Sequence, residues 1–224
     1  MKKLKTLFVE FDNQLAQREV SAFRGAIIEK VGRENLLFHQ HKSDTEVLYQ
    51  YPLIQYKSSG RKPNIFCIGD GVDEIHKLFS FKNWDINVRG QRYDLKINRL
   101  DLNTVTLNLW NDTFTYSLKN WIALNSANYQ LFPTIDSLTE RVKLLEKILT
   151  GNILSFAKGV DWHIDKEISV SIVNIQKQRK VTYKGIPLLA FDVEFKSNVS
   201  LPNHLGLGKS VSHGFGVIRR LPKN

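Results

Sequence analysis

Eleven residues near the end of the chain, Gly206 to Gly216, restrict its fold more than any other segment. They read Gly-Leu-Gly-Lys-Ser-Val-Ser-His-Gly-Phe-Gly and hold four of the 13 glycines. Two Gly-apolar-Gly triplets, Gly206-Leu207-Gly208 and Gly214-Phe215-Gly216, flank a spacer of five residues. Glycine admits positive φ and lets backbone amides approach a ligand without Cβ interference. Successive N–H groups of this kind form an anion-binding concavity. Lys209, Arg219 and Arg220 surround the segment with positive charge, and Ser210 and Ser212 add hydroxyls. The segment therefore predicts a phosphate-holding loop built on Gly206, Gly208, Lys209, Ser210, Gly214, Gly216, Arg219 and Arg220. The plainer alternative is a set of tight turns. A nucleotide-binding P-loop does not fit, because the glycine it needs five positions before Gly208 is Asn203.

The chain has 224 residues and a net charge of +10, with a pI near 9.6. Such a balance favours polyanions, meaning nucleic acid or an anionic surface. The single cysteine, Cys67, excludes an internal disulfide and a thiolate zinc site. It fits a reducing cytoplasm. Lys5, Glu10 and Asp12 interrupt any apolar run after Met1, which argues against a signal peptide. No apolar run approaches the roughly 20 residues that span a bilayer, so no membrane partner is expected.

Alternation predicts a strand over 3–11, and apolar spacing predicts a helix over 17–31 with Gly32 as its stop. Leu36–Phe38 reads as a short strand. Val47–Tyr56 and Pro63–Ile68 read as strands about the turn Ser58-Ser59-Gly60, Gly71–Phe79 as helical and Trp84–Val88 as extended. That order suggests a ferredoxin-like unit. Further on, Thr104–Trp110 and Thr113–Leu118 predict a hairpin across Asn111-Asp112. Ser137 with Glu140 forms a capping box for a helix to about Phe156. Its apolar stripe, Leu138, Val142, Leu145, Leu149 and Ile153, reads as a core face. Ile168–Ile175 and Pro187–Lys196 predict a second hairpin, and Gly214–Arg220 a last strand. The fold class expected is α+β, with two tandem ferredoxin-like units and antiparallel sheets, divided as 1–102 and 103–224.

One candidate for chemistry is His39-Gln40-His41, which follows the first helix. On an extended backbone the two imidazoles share a side. Imidazole is the side chain best matched to proton transfer near neutral pH. With Lys30, Lys42, Tyr49 and Tyr51 close by in sequence, the pair offers a base, an acid and a cation. The alternatives are a polar surface pair, or a metal site of His39, His41, Asp44 and Glu46 without a known ligand pattern. His163 beside Asp161 and Trp162, and His204 and His213 flanking the glycine segment, are further candidates. Trp84, Trp110, Trp121 and Trp162 offer stacking faces or core volume. Lys177, Arg179, Lys180 and Lys184 cluster at the expected turn of the second hairpin, as a solvated tip or a contact for a polyanion.

The doubled glycine triplet, with its basic spacer and C-terminal position, resembles the signature of the RAMP superfamily of CRISPR-associated RNA-binding proteins. Within it the chain is similar to the repeat-cleaving endoribonucleases, which are built as tandem ferredoxin-like halves with the glycine loop in the second. The resemblance implies a metal-independent endoribonuclease acting on CRISPR repeat RNA, with no cofactor and no metal. His39 and His41 stand where that family places catalytic histidines after the first helix, and the two leave base and acid roles unassigned. Tyr51 or Tyr49, and Lys30 or Lys42, match the accompanying tyrosine and lysine. The RNA-binding set is the glycine loop with Arg179 and Lys180. A CRISPR effector complex and a homodimer are compatible partners. Two rivals remain: a non-cleaving RAMP subunit coating guide RNA, and a structural protein binding another polyanion.

Overall fold

The strand expected at 3–11 forms as β1 (Lys2–Phe11). A single 3-10 turn at Gln17–Glu19 leads into α1 (Val20–Val31), whose carbonyl at Ile28 is capped by the Gly32 amide at 3.0 Å. Val20, Phe23, Ile27 and Val31 are buried on one side of it, as the spacing predicts. The structure, a computed structural model, describes residues 1–39 and 50–222. Leu36–His39 is one helical turn, α2, rather than the expected strand. Three apolar residues are too few to tell the two periods apart. Local bonds decide: the Phe38 amide reaches Asn35 O, and Arg24 Nη2 donates to His39 O at 2.7 Å.

β2 (Ile54–Ser59) and β3 (Lys62–Ile68) pair across Gly60-Arg61, both at positive φ. β2 is shorter at its start than the sequence predicts, with Tyr51 and Pro52 outside it and 40–49 outside the described residues. Two short helices follow, α3 (Asp70–Glu74) and α4 (His76–Phe79), where one was expected. β4 (Asp85–Val88) and β5 (Gln91–Asp94) form a separate ribbon, and β6 (Ile97–Leu107) returns to the main sheet. The sheet order β2-β3-β1-β6 is the ferredoxin-like order.

β7 (Leu109–Trp121) runs straight through Asn111-Asp112. The expected hairpin is therefore absent: β6 lies beside β1, whereas β7 pairs with β9 and β10. A register shift between Leu109 and Phe114 absorbs the turn-like residues. After α5 (Ser126–Leu131) comes α6 (Leu138–Gly159), with Ser137 Oγ accepting from the Glu140 amide. Leu145, Leu149 and Ile153 are buried, whereas Leu138 at the helix start is exposed. β8 (Val170–Tyr183) and β9 (Ile186–Val199) form a hairpin much longer than predicted, closed by Lys184-Gly185 at positive φ. β10 (Val217–Arg220) completes the order β10-β7-β9-β8. Trp121 Nε1 bonds Asn152 of α6 at 2.9 Å, and Tyr116 stacks on Phe195 at 5.2 Å, fixing helix to sheet and strand to strand.

Two units result. One comprises Lys3–Val105 with Val211–Gly214, and the other Met1–Lys2, Thr106–Ser210 and Phe215–Asn224. In the second, the glycine segment occupies the β9–β10 connection, where a ferredoxin-like unit has its second helix. Gly216 has φ +66, and a Cβ there would lie 1.8 Å from Leu207 O. The Leu207 amide donates to Gly216 O at 2.7 Å, and the Ile218 amide to Leu205 O at 2.9 Å. Backbone packed against backbone in this way launches β10.

The first sheet also buries a polar row. Lys57 is 2% exposed and Gln55 fully buried. Lys57 Nζ donates to Gln55 Oε1 at 2.7 Å, and Gln55 Nε2 donates to Tyr51 Oη at 2.9 Å. Nζ also lies 5.2 Å from the Phe66 ring centroid. No carboxylate among the described residues pairs with Lys57. Burial holds its ammonium well below the usual lysine range.

Gly216→Ala is expected to destabilise the protein by more than about 2 kcal/mol, since strain at positive φ adds to a collision with backbone. Urea unfolding checks this. Lys57 is neutral in the folded protein over a pH range in which the unfolded chain keeps it protonated. The unfolded state then holds the extra proton, and stability rises with pH until about 10.4, the ordinary lysine value. Lys57→Met should raise the melting temperature most at about neutral pH, with the gain over wild type shrinking towards about pH 10. Calorimetry across that range tests it.

Candidate nucleic-acid interface

In the first unit, His39 ends α2 with its ring half-buried. Its Nε2 is hydrogen-bonded to Arg33 O, which fixes the ring's direction. The carbonyl of Phe38, one residue earlier, accepts from the buried Tyr56 hydroxyl at 3.3 Å. Burial raises the Tyr56 phenol, so it stays a donor. His41, Lys42, Tyr49, Asp44 and Glu46 lie outside the described residues. Tyr51 is half-buried, and its hydroxyl receives the Gln55 amide. Lys30 forms an ion pair with Asp85 at 3.0 Å, and its ammonium sits 5.3 Å from the Phe81 ring centroid. The hydrogen bond from Lys30 holds the Asp85 carboxyl below the usual range. Lys30 thus ties α1 to β4.

Tyr56 also organises a contact that the sequence alone does not reveal. Its backbone forms a β-bridge with His213, and His213 Nδ1 lies 3.0 Å from Ser21 Oγ at the start of α1. Gln17 Nε2 donates to Gly214 O at 3.0 Å. Gly214 has φ +84, and a Cβ would meet Gln17 Nε2 at 2.7 Å and Val20 at 3.3 Å. The middle of the glycine segment therefore belongs to the unit that carries His39. Only the positions of Gly214 and His213 hint at this in the sequence, since their partners lie some 160–200 residues away.

In the second unit the segment's ends are packed closely. Gly206 and Gly216 are buried, and Gly208 sits against the Trp121 indole. Several amides are already used within the protein: Leu207 N to Gly216 O, Lys209 N to Ile122 O and Gly216 N to Asn120 O. The segment's polar offering lies instead in its side chains. Lys209, Arg219 and Arg220 are exposed, and Ser210 is half-buried at φ +57. His204, before the segment, is half-buried and donates its amide to Ile218 O at 3.0 Å.

Arg179 and Lys180 lie within β8, several residues before the hairpin turn, rather than at its tip. Lys180 and Lys177 are exposed. Arg179 is half-buried and makes two 3.1 Å contacts with the Asp192 carboxylate, as well as a bond to Asn120 Oδ1. Burial pushes the Asp192 carboxyl up, but the Arg179 and Asn120 bonds outweigh it and leave it lowered. Arg179 therefore braces the sheet beside Asn120, whose carbonyl receives the Gly216 amide. Of the remaining candidates, His163 is exposed beside buried Trp162, along a shallow cavity of about 420 Å³. No helix among the described residues is long and apolar enough to cross a membrane.

The Cas6b N-terminal domain family matches residues 2–106, and the Cas6b C-terminal domain family matches residues 108–221. An uncharacterized protein of Methanocaldococcus jannaschii is 40% identical over 101 residues, covering 45% of this chain and 67% of that one. A crystal structure of Cas6b superposes with a TM-score of 0.89 at 27% identity, covering 98% of this chain and all of the other. A crystal structure of the CRISPR RNA processing endoribonuclease Cas6b gives 0.76 at 25% identity with the same coverage. A RAMP protein that binds different RNA substrates shares the fold, at 0.54 and 11% identity. With both domain families spanning nearly the whole length, in the order the two sheets are built, the chain belongs to the Cas6b family.

Proposed function

We propose that this protein is an endoribonuclease that cleaves CRISPR repeat RNA without a metal ion. The observation that carries the reading is the match of the complete fold to a CRISPR RNA processing endoribonuclease of the same family. A net charge of +10 and the exposed Lys209, Arg219 and Arg220 suit a polyanionic substrate.

The reaction is a transesterification. The 2′-oxygen forms a bond to the adjacent phosphorus, and the bond from phosphorus to the 5′-oxygen breaks. The 2′-hydroxyl proton passes to a base, and an acid protonates the departing 5′-oxygen. The products are a 2′,3′-cyclic phosphate and a 5′-hydroxyl, with no water consumed. His39 and His41 share the two proton transfers. The bond from His39 to the Arg33 carbonyl fixes the orientation of the ring. Tyr51, held by Gln55, assists as a hydroxyl donor. Lys30 acts as a positioning residue through Asp85. The side chains about the glycine segment, with Lys180, hold the RNA backbone, and Arg179 supports them from beneath.

Purified protein should cleave labelled repeat RNA in excess EDTA. Activity that disappears in EDTA and returns with a divalent ion would contradict the histidine mechanism. His41→Ala should slow single-turnover cleavage by about 100-fold or more, the usual scale for a lost acid or base, with RNA affinity little changed. His39→Ala should cost a comparable or smaller factor, and the double variant less than the product of the two. RNA bound tightly but never cut by the wild type would indicate a non-cleaving guide-coating subunit instead.

A further inference from the structure

The four tryptophans of the chain differ sharply in the fold. Trp121 and Trp162 are buried, and Trp84 is half-buried with its indole N–H on the Phe81 carbonyl. Trp110 alone among them is exposed, at 44%. It stands on β7 in the stretch where pairing with β9 loses register, between Leu109 and Phe114. Such an irregularity turns side chains out of the ladder and is often found at binding sites.

What surrounds Trp110 is a pocket of about 520 Å³ within the second unit, also lined by Asn111, Asp112, Phe114, Ser200 and Arg220. Its parts are held in place. The Phe114 ring meets the Trp110 indole edge-on, with centroids 6.5 Å apart and planes at 87°. The Arg220 guanidinium lies over the other ring, 4.1 Å from the Phe114 centroid. Ser200 Oγ donates to Thr106 O at 2.7 Å, and the Arg220 amide donates to Asn203 Oδ1 at 2.7 Å, so floor and rim are fixed. The pocket thus brings together an exposed indole, a cation stacked on a ring, and an amide and a carboxylate on adjacent residues.

That set matches one chemical object. A nucleobase has a flat face for an indole, an edge of donors and acceptors for an amide and a carboxylate, and a phosphate within reach of a guanidinium. A base inside a helix cannot present its face, so the occupant is unpaired. An acidic peptide would use Arg220 but leave the indole face unused, and an aliphatic ligand would bury Asp112. We propose that this pocket binds a single unpaired nucleobase of the RNA, stacked on Trp110, with a neighbouring phosphate on Arg220. The proposal rests on the RNA-processing reading above and adds a base-binding position outside the cleavage chemistry.

The test is equilibrium binding of the full-length protein to labelled repeat RNA, followed by fluorescence anisotropy. Trp110→Ala should weaken binding by about 5- to 100-fold, the scale of one lost base stack. Trp110→Phe should recover most of it, because the stacking face is restored. Scanning the RNA with single abasic nucleotides should reveal one position that costs the wild type this factor and costs Trp110→Ala nothing further. Equal affinity of Trp110→Ala and wild type, equal losses in both variants, or an abasic scan that stays additive throughout would overturn the proposal. Wild-type protein that binds but does not cut RNA, with Trp110→Ala still weakened, would refute the nuclease reading and leave the pocket standing. Wild-type cleavage with unaltered binding by Trp110→Ala would do the reverse.

Discussion

No side chain fits at position 216. The Leu207 carbonyl oxygen occupies the space a Cβ would need, and the backbone there is at positive φ. This contact brings the two ends of the glycine segment together, with Leu207 N on Gly216 O and Gly216 N on Asn120 O. β10 starts immediately afterwards and pairs with β7, setting Ile218 into the core and leaving Arg219 and Arg220 exposed. Arg220 in turn reaches the ring of Phe114. Of the five-residue spacer, Lys209 and Ser210 stay with the second unit, and Val211 to His213 belong with Gly214 to the first, where His213 pairs with Tyr56. One steric constraint therefore governs the last strand and the cationic rim.

The glycine segment works through packing as well as through charge. Its sequence reads as a run of open amides facing a phosphate, yet several of those amides are hydrogen-bonded to the protein's own carbonyls. What remains exposed is a fringe of lysine and arginine side chains on a closely hydrogen-bonded turn. For the RNA contact proposed above, a pre-ordered cationic surface loses less side-chain and loop entropy on binding. Arg179 serves the same end by clamping Asp192 and Asn120 beneath the loop.

Legibility in the sequence followed interaction range. β1, α1 and α6 were readable because alternation, helical spacing, a Gly32 stop and the Ser137–Glu140 cap all lie within a few residues. The Asn111-Asp112 hairpin misled for the opposite reason. A local turn signal was overruled by pairing of β7 with a strand some 80 residues later, and a register shift took up the misfit. Leu36–Phe38 was too short for its period to speak. The histidine pair and the glycine segment were visible as motifs, but the seating of His213 on Ser21 and Tyr56 depends on partners remote in sequence. Nothing local marks Lys57 as buried; its burial against Phe66 and Gln55 comes from packing of the sheet.

In the proposed reaction the RNA supplies its own nucleophile and the protein supplies proton transfer. Replacing the 2′-hydroxyl by hydrogen in the single nucleotide 5′ of the cut addresses it directly. The account predicts that this substrate binds with nearly unchanged affinity and is not cleaved at all, whereas the unmodified repeat leaves a 2′,3′-cyclic phosphate. Cleavage of the deoxy substrate at the normal rate would mean that water attacks phosphorus, and the account would be wrong.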